Sequence, residues 1–122
     1  MPDYDVVVVG AGNAALAAAV SAREQGVARV LVLEKAPEEL RGGNTHYSGG
    51  LLRFAFERVA DLLPLLPEAT RGEPRILAGA APYPEARFLN DLMRVTESRS
   101  EPELAEILVR RSSATIRWMV EQ

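Results

Sequence analysis

The stretch Val6-Val7-Val8-Val9-Gly10-Ala11-Gly12-Asn13-Ala14-Ala15 decides the fold. Its first four residues are a β-branched run without polar alternation, which is typical of a parallel strand covered on both faces. The alanine-rich residues 13–25 that follow the glycines are good helix formers. Gly26 stands where a left-handed residue commonly ends a helix. The stretch therefore opens a predicted strand, tight turn and helix.

A second apolar run completes the first structural unit. Residues 29–34 read Arg-Val-Leu-Val-Leu-Glu and follow the helix at the distance that a single right-handed βαβ crossover needs. We expect this strand to lie parallel to the first. Residues 85–122 return to helical spacing of apolar side chains. The predicted fold class is α/β, a Rossmann-type βαβ unit with an incomplete parallel sheet, followed by a helical segment.

The first glycine loop fits the dinucleotide-binding pattern G-x-G-x-x-[G/A], with a strand before it and a helix after it. Gly10 allows the tight turn, and Gly12 leaves room for a pyrophosphate to approach the backbone. Ala15 lets the helix pack closely on the strand. The free N–H groups at the start of the helix, around Asn13 and Ala14, would face the diphosphate. The alternative is a tight turn that holds no ligand.

An acid ends the second strand, where a nucleotide ribose would lie. Glu34 follows Gly10 by 24 positions and can accept hydrogen bonds from the 2′- and 3′-hydroxyls of a ribose. Its charge would repel a 2′-phosphate, which disfavours NADP. Lys35 is the next residue and is included as a binding candidate. The first loop alone leaves the choice between NAD and FAD open.

A second glycine-rich loop, Arg41-Gly42-Gly43-Asn44-Thr45 followed by Ser48-Gly49-Gly50, bears on that choice. It resembles the loop after the second strand in the fumarate reductase and succinate dehydrogenase flavoprotein family. The resemblance covers residues 4–58, and the loop is most similar to tricarballylate dehydrogenase-like members. In that family the loop runs along the FAD pyrophosphate, so two hydroxyls and four glycine amides would contact FAD here. The cofactor-binding candidates are Gly10, Gly12, Asn13, Ala14, Ala15, Glu34, Lys35, Gly42, Gly43, Asn44, Thr45, Ser48, Gly49 and Gly50.

The resemblance also bears on how FAD would be held and used. Some family members attach FAD covalently through a histidine of this loop, but the short spacer before Gly49 resembles the non-covalent branch, so we expect non-covalent FAD. A covalent link through His46 is the alternative. The implied reaction oxidises or reduces a carbon–carbon bond next to a carboxylate or carbonyl. Family members place the catalytic groups beyond residue 122, so no catalytic residue is predicted here.

Other function classes remain open or are disfavoured by composition. An NAD-binding dehydrogenase module would need only the first loop, and a non-catalytic nucleotide-binding domain needs no catalytic group. The net charge of −3 gives no cationic field for a nucleic acid. The chain lacks cysteine and has one histidine, so no metal site is predicted. Glycines interrupt the N-terminal apolar run before it is long enough to span a membrane. We expect a cytoplasmic protein.

The sequence suggests three segments: the βαβ unit and glycine loop over 1–63, a proline-rich irregular connection over 64–84 and a helical segment over 85–122. Residues 51–63 are compatible with a helix, 75–77 with a short strand, and Ser100 to Glu103 with a capping box that opens the last helix. Two strands leave sheet edges unpaired. We therefore expect either self-association or a missing C-terminal region, with a small carboxylate or ketone as the substrate of the complete enzyme.

Overall fold

The computed structural model describes residues 3–73 and 75–122. The chain divides into two compact units, Met1–Leu51 and Leu52–Gln122. The first unit carries the two glycine loops, and the second carries the longest helix and the buried side chains. The three-segment division at residues 63 and 84 remains a prediction about domain boundaries.

The first unit is a βαβ arrangement. Strand β1 covers Val6–Val9, helix α1 covers Asn13–Glu24 and strand β2 covers Val30–Leu33. The strands pair in parallel, from Val6 opposite Val30 to Val9 opposite Leu33. This confirms the predicted α/β class and the parallel direction of the second strand. Helix α1 ends before Gly26, whose φ of 86° is the left-handed conformation predicted from its position.

Helix α1 packs against both strands, but the small sheet stays open elsewhere. Val6 and Val8 are half-buried, whereas Val7 and Val9 are 51% and 82% exposed. Because side chains alternate across a strand, the exposed pair lies on one face. No side chain among residues 3–51 is fully buried. The first unit therefore holds together through its backbone ladder and partial burial.

The second unit has a small hydrophobic core. Helix α2 covers Glu85–Val95 and helix α3 covers Pro102–Glu121, and the two pack together. Phe88 from α2 and Val109 from α3 meet Ala55 from the preceding segment, and all three are buried. Tyr83, Leu89 and Leu92 pack around this cluster. The predicted helix from Glu85 is confirmed, and its buried stripe is what joins the two helices.

The predicted helix over residues 51–63 is wrong. Phe56 instead forms an isolated antiparallel bridge with Tyr83, through N–H to O distances of 2.9 and 3.0 Å. The backbone N–H of Ala55 donates to Ser112 Oγ at 2.9 Å. These long-range partners take the hydrogen bonds that a helix would have made locally. A 3₁₀ helix follows only at Val59–Leu65.

Two further local predictions are corrected. Helix α3 begins at Pro102 with Glu101 before it, and no side chain caps it. Ser100 donates to Thr96 Oγ1 at 3.0 Å, so the predicted capping box is not formed. Proline suits the first helical position because it has no N–H to satisfy there. Residues 75–77 form turns and no strand.

A membrane-spanning helix requires a long apolar stretch. None of the helices in the described residues meets that requirement.

Candidate functional site

The parallel register brings the end of β1 beside the end of β2. Gly10 N–H donates to the Leu33 carbonyl at 2.6 Å, extending the ladder by one residue. Gly10 has a φ of 108°, which turns the chain away from the strand and favours glycine. Ala11 N–H then donates to Glu34 Oε2 at 2.8 Å. The first glycine loop is therefore anchored directly to the acid that ends β2.

The Glu34 carboxylate holds a second backbone group. Its Oε1 accepts a hydrogen bond from Ala36 N–H at 2.8 Å. The hydrogen bonds from Ala36 and Ala11 lower the pKa of Glu34 below its ordinary value of 4.5. Interactions with the backbone N–H groups of Gly42 and Lys35 lower this pKa further, so backbone donors from both loops surround the carboxylate.

These hydrogen bonds predict that Glu34 makes the stability of the folded chain depend on pH. Because the pKa of Glu34 is lower in the folded chain, its stabilising contribution is full above pH 4.5 and is lost as the pH falls through the lowered value. We expect Glu34→Gln to remove this part of the acid-unfolding profile, as measured by circular dichroism. Identical profiles for the native and Glu34→Gln chains would contradict the assignment.

The second glycine loop folds back towards the start of α1. Gly42 has a φ of 96°, and a short 3₁₀ helix follows at Gly43–Tyr47. The turn is closed by Thr45 N–H, which donates to the Gly42 carbonyl at 3.0 Å. Thr45 Oγ1 accepts a hydrogen bond from Asn13 N–H at 3.1 Å. A side chain of the second loop thus satisfies an N–H group in the first turn of α1.

Gly12 is the point of closest approach between the two loops. A Cβ atom at this position would lie 3.1 Å from the Gly42 carbonyl oxygen and 3.3 Å from Thr45 Oγ1. Both distances are shorter than an ordinary van der Waals contact. The absence of a side chain at Gly12 therefore lets the second loop, as well as any ligand, approach the backbone.

The two loops line an open cavity of about 540 Å³. Ten of the fourteen candidates line it: Gly10, Gly12, Asn13, Ala14, Glu34, Lys35, Gly42, Gly43, Asn44 and Thr45. Glu34 and Lys35 are the charged residues of this lining. Sequence reasoning missed Val9 and Ala11, which also line the cavity. The signal for Ala11 was its place between the two glycines, where its amide meets Glu34.

The remaining four candidates do not line this cavity. The Cβ of Ala15 lies 3.9 Å from where a Cβ on Gly10 would stand, a normal packing distance between the helix and the turn. Ser48 donates from Oγ to the Thr45 carbonyl at 2.9 Å, and Gly50 N–H donates to Ser48 Oγ at 3.3 Å. Gly49, like Gly50, has a positive φ. Contact of these residues with a cofactor stays a prediction.

The donor set suits an anionic nucleotide. The cavity is lined by backbone amides at a helix N-terminus, which favour negative charge. Gly12 provides a face without a side chain, and the Thr45 hydroxyl has no acceptor for its own proton among the described residues. Glu34 supplies acceptors for hydroxyl groups at the β2 end. A diphosphate linked to a ribose therefore matches the donors and acceptors of this site.

Comparisons with known proteins agree with this chemistry. A family described as an FAD binding domain matches residues 5–122. The NADH:fumarate oxidoreductase of Klebsiella pneumoniae (strain 342) is 29% identical over 98% of this chain and 11% of its own length. The 4-oxocyclohexanecarboxylate 2-dehydrogenase of Sinomonas cyclohexanicum is 40% identical over 76% of this chain and 18% of its own length.

A third relative, the fumarate reductase (cytochrome) of Shewanella frigidimarina, is 30% identical over 94% of this chain and 17% of its own length. No solved structure matches the chain significantly. The chain spans less than a fifth of the length of these relatives. The family match extends across both units and confirms the predicted cofactor. The chain belongs to the FAD binding domain family found in flavin oxidoreductases, and its cofactor is FAD.

Proposed function

We propose that this chain holds the FAD of an oxidoreductase that oxidises or reduces a carbon–carbon bond next to a carboxylate or carbonyl. The observation that carries the proposal is the meeting of two glycine loops over one cavity, with an acid at the end of β2. The names of the relatives support the substrate class. They include a fumarate reductase and a dehydrogenase of a ring that bears a ketone and a carboxylate.

In this proposal the chain binds and orients the cofactor with a Rossmann-type arrangement. Backbone N–H groups at the start of α1 hold the diphosphate, and Glu34 accepts from the adenine ribose. The Thr45 hydroxyl donates its unused proton to a phosphate oxygen. The bound flavin supplies hydride transfer to or from a substrate carbon. The negative charge of Glu34 selects against a 2′-phosphate.

The attachment of FAD is proposed to be non-covalent. His46 and Tyr47 form an edge-to-face pair with ring centroids 4.9 Å apart, and Tyr47 is 73% exposed. Neither side chain lines the cavity formed by the two loops. Acid precipitation should therefore release all the flavin into the supernatant. Flavin that stays with the pellet, and is lost in His46→Ala, would show the covalent alternative.

The reaction is tested by anaerobic reduction of the FAD-loaded complete enzyme that contains this chain, because no catalytic residue is predicted within residues 1–122. The panel contains saturated dicarboxylates, tricarboxylates and cyclic ketones, each paired with its unsaturated counterpart for reoxidation. We expect at least one class to bleach the flavin absorbance, with recovery on adding the unsaturated partner. A response to tricarboxylates alone would support the tricarballylate dehydrogenase-like subgroup. FAD binding with no bleaching by any compound would favour a non-catalytic nucleotide-binding role and overturn the proposed reaction.

We also propose that the exposed sheet face is covered in the active protein, by a second copy or by further polypeptide. The support is the exposure of Val7 and Val9 and the small share of the relatives that the chain spans. Light scattering on the chain tests whether a second copy covers this face. A dimer that Val7→Lys dissociates is expected for self-association, whereas a stable monomer would exclude the second copy.

A further inference from the structure

Two side chains hold the first glycine loop from opposite sides of Gly12. On one side, the Glu34 carboxylate accepts from Ala11 N–H at 2.8 Å. On the other side, Thr45 Oγ1 accepts from Asn13 N–H at 3.1 Å. The two partners come from different segments, 23 and 32 residues away along the chain. Each therefore joins the loop to a separate part of the first unit.

The Gly12 amide lies between these two anchored amides. No acceptor for the Gly12 N–H is found among the described residues, so this donor is available to a ligand. The peptide groups on both sides of it are fixed by hydrogen bonds. Glu34 is itself held by Ala36 N–H, which limits the movement of its carboxylate. The loop is therefore ordered by protein groups when no nucleotide is bound.

We propose that Glu34 and Thr45 are positioning residues that set the conformation of residues 11–13 before FAD binds, acting through the amides of Ala11 and Asn13. The inference rests on the proposed FAD site and adds a role to each residue beyond contact with the ligand. A loop already in its bound conformation loses less entropy on binding, which increases affinity. Glu34 thus contributes to the diphosphate site even where no ribose is present.

The direct test is hydrogen exchange of the backbone amides in the ligand-free chain, measured by NMR. Alanine has no side-chain acceptor, so Glu34→Ala removes the hydrogen bonds to both amide partners. We expect faster exchange of the Ala11 amide in Glu34→Ala and of the Asn13 amide in Thr45→Val. Thr45→Ser keeps the hydroxyl and should restore slow exchange at Asn13. Unchanged exchange in both variants, with folding verified by circular dichroism, would overturn the proposal.

The second test measures binding of inorganic pyrophosphate, a probe without a ribose. Loss of a hydrogen bond to a charged acceptor corresponds to roughly a tenfold change in affinity, and we expect about tenfold weaker binding by Glu34→Gln. Removing a negative charge would alone strengthen anion binding, so weakening cannot come from charge. Exposed Glu39→Gln is the matched control for charge. Thr115→Val, whose hydroxyl donates to its own helix at Arg111, is the control for Thr45→Val.

FAD binding is measured on the same variants so that two failures can be told apart. If the native chain binds no FAD, the proposed function fails, while the amide exchange still decides the role of Glu34 and Thr45. Glu34→Gln could instead bind FAD more weakly but bind pyrophosphate as tightly as the native chain does. Glu34 would then act through the ribose alone. That outcome would overturn the positioning role of Glu34.

Discussion

A Gly12→Val chain is expected to fold but to bind FAD about a hundredfold more weakly than the native chain. A hundredfold loss corresponds to ~2.7 kcal/mol, within the ~1–3 kcal/mol that overpacking usually costs. Already the first carbon of the new side chain would stand 3.1 Å from the Gly42 carbonyl oxygen. The two loops must then separate, which widens the cavity and weakens the hydrogen bond between Asn13 and Thr45. Quenching of flavin fluorescence measures the affinity.

The matched control for this variant is Gly72→Val. A Cβ on Gly72 meets no atom within 4 Å, and its backbone does not need glycine. We expect native FAD affinity for Gly72→Val. Gly12→Ala should fall between the native chain and Gly12→Val, because one carbon requires the neighbours to move by only a few tenths of an ångström. Full FAD affinity in Gly12→Val would show that the loops do not need this close approach.

Truncating Phe88 should have the largest effect on stability. Phe88 is 5% exposed and packs between Ala55 and Val109, with the Tyr83 ring centroid at 5.5 Å. A buried Phe→Ala change typically costs ~3–5 kcal/mol, and a whole domain is stable by only ~5–15 kcal/mol. We expect Phe88→Ala to unfold the second unit at a much lower denaturant concentration than in the native chain. Urea unfolding followed by Trp118 fluorescence measures this.

Leu104→Ala is the control for Phe88→Ala, because it removes a large apolar side chain that lies outside the core. Leu104 lies on the same α3 helix as Val109 but is 65% exposed. Surface substitutions usually change stability by less than ~0.5 kcal/mol. A midpoint within error of the native chain is expected. If Leu104→Ala and Phe88→Ala were equally destabilising, the cluster around Phe88 could not be the main core of the second unit.

Local sequence signals predict the first unit well because its structure is determined locally. The run of four valines, the glycine turn and the alanine-rich helix follow one another without a gap, and each requires only nearby residues. The parallel register then places Glu34 beside the loop, as its spacing from Gly10 predicts. Six of the predicted cofactor residues, those of the first loop and of the end of β2, line one cavity for this reason.

The second unit departs from its local signals because long-range contacts decide it. Ala55 and Phe56 lie in a stretch that is compatible with a helix, yet they form hydrogen bonds with Ser112 and Tyr83 far along the chain. No short-range pattern encodes such partners. The same limit applies at the site, where the sequence pattern predicts only that Gly12 leaves room for a ligand. Its contact with Gly42 depends on how the second loop folds back, which the spacing of the two loops does not specify.

The lack of a buried side chain in residues 3–51 has a consequence for the lifetime of the protein. A unit with so little core of its own gains much of its stability by linkage to whatever binds the folded form. A ligand at a hundred times its Kd adds ~2.7 kcal/mol, a large share of the free energy that separates folded from unfolded chains. Proteases act on the unfolded population. We therefore expect bound FAD to slow the proteolysis of this chain, because ligand binding stabilises its folded form.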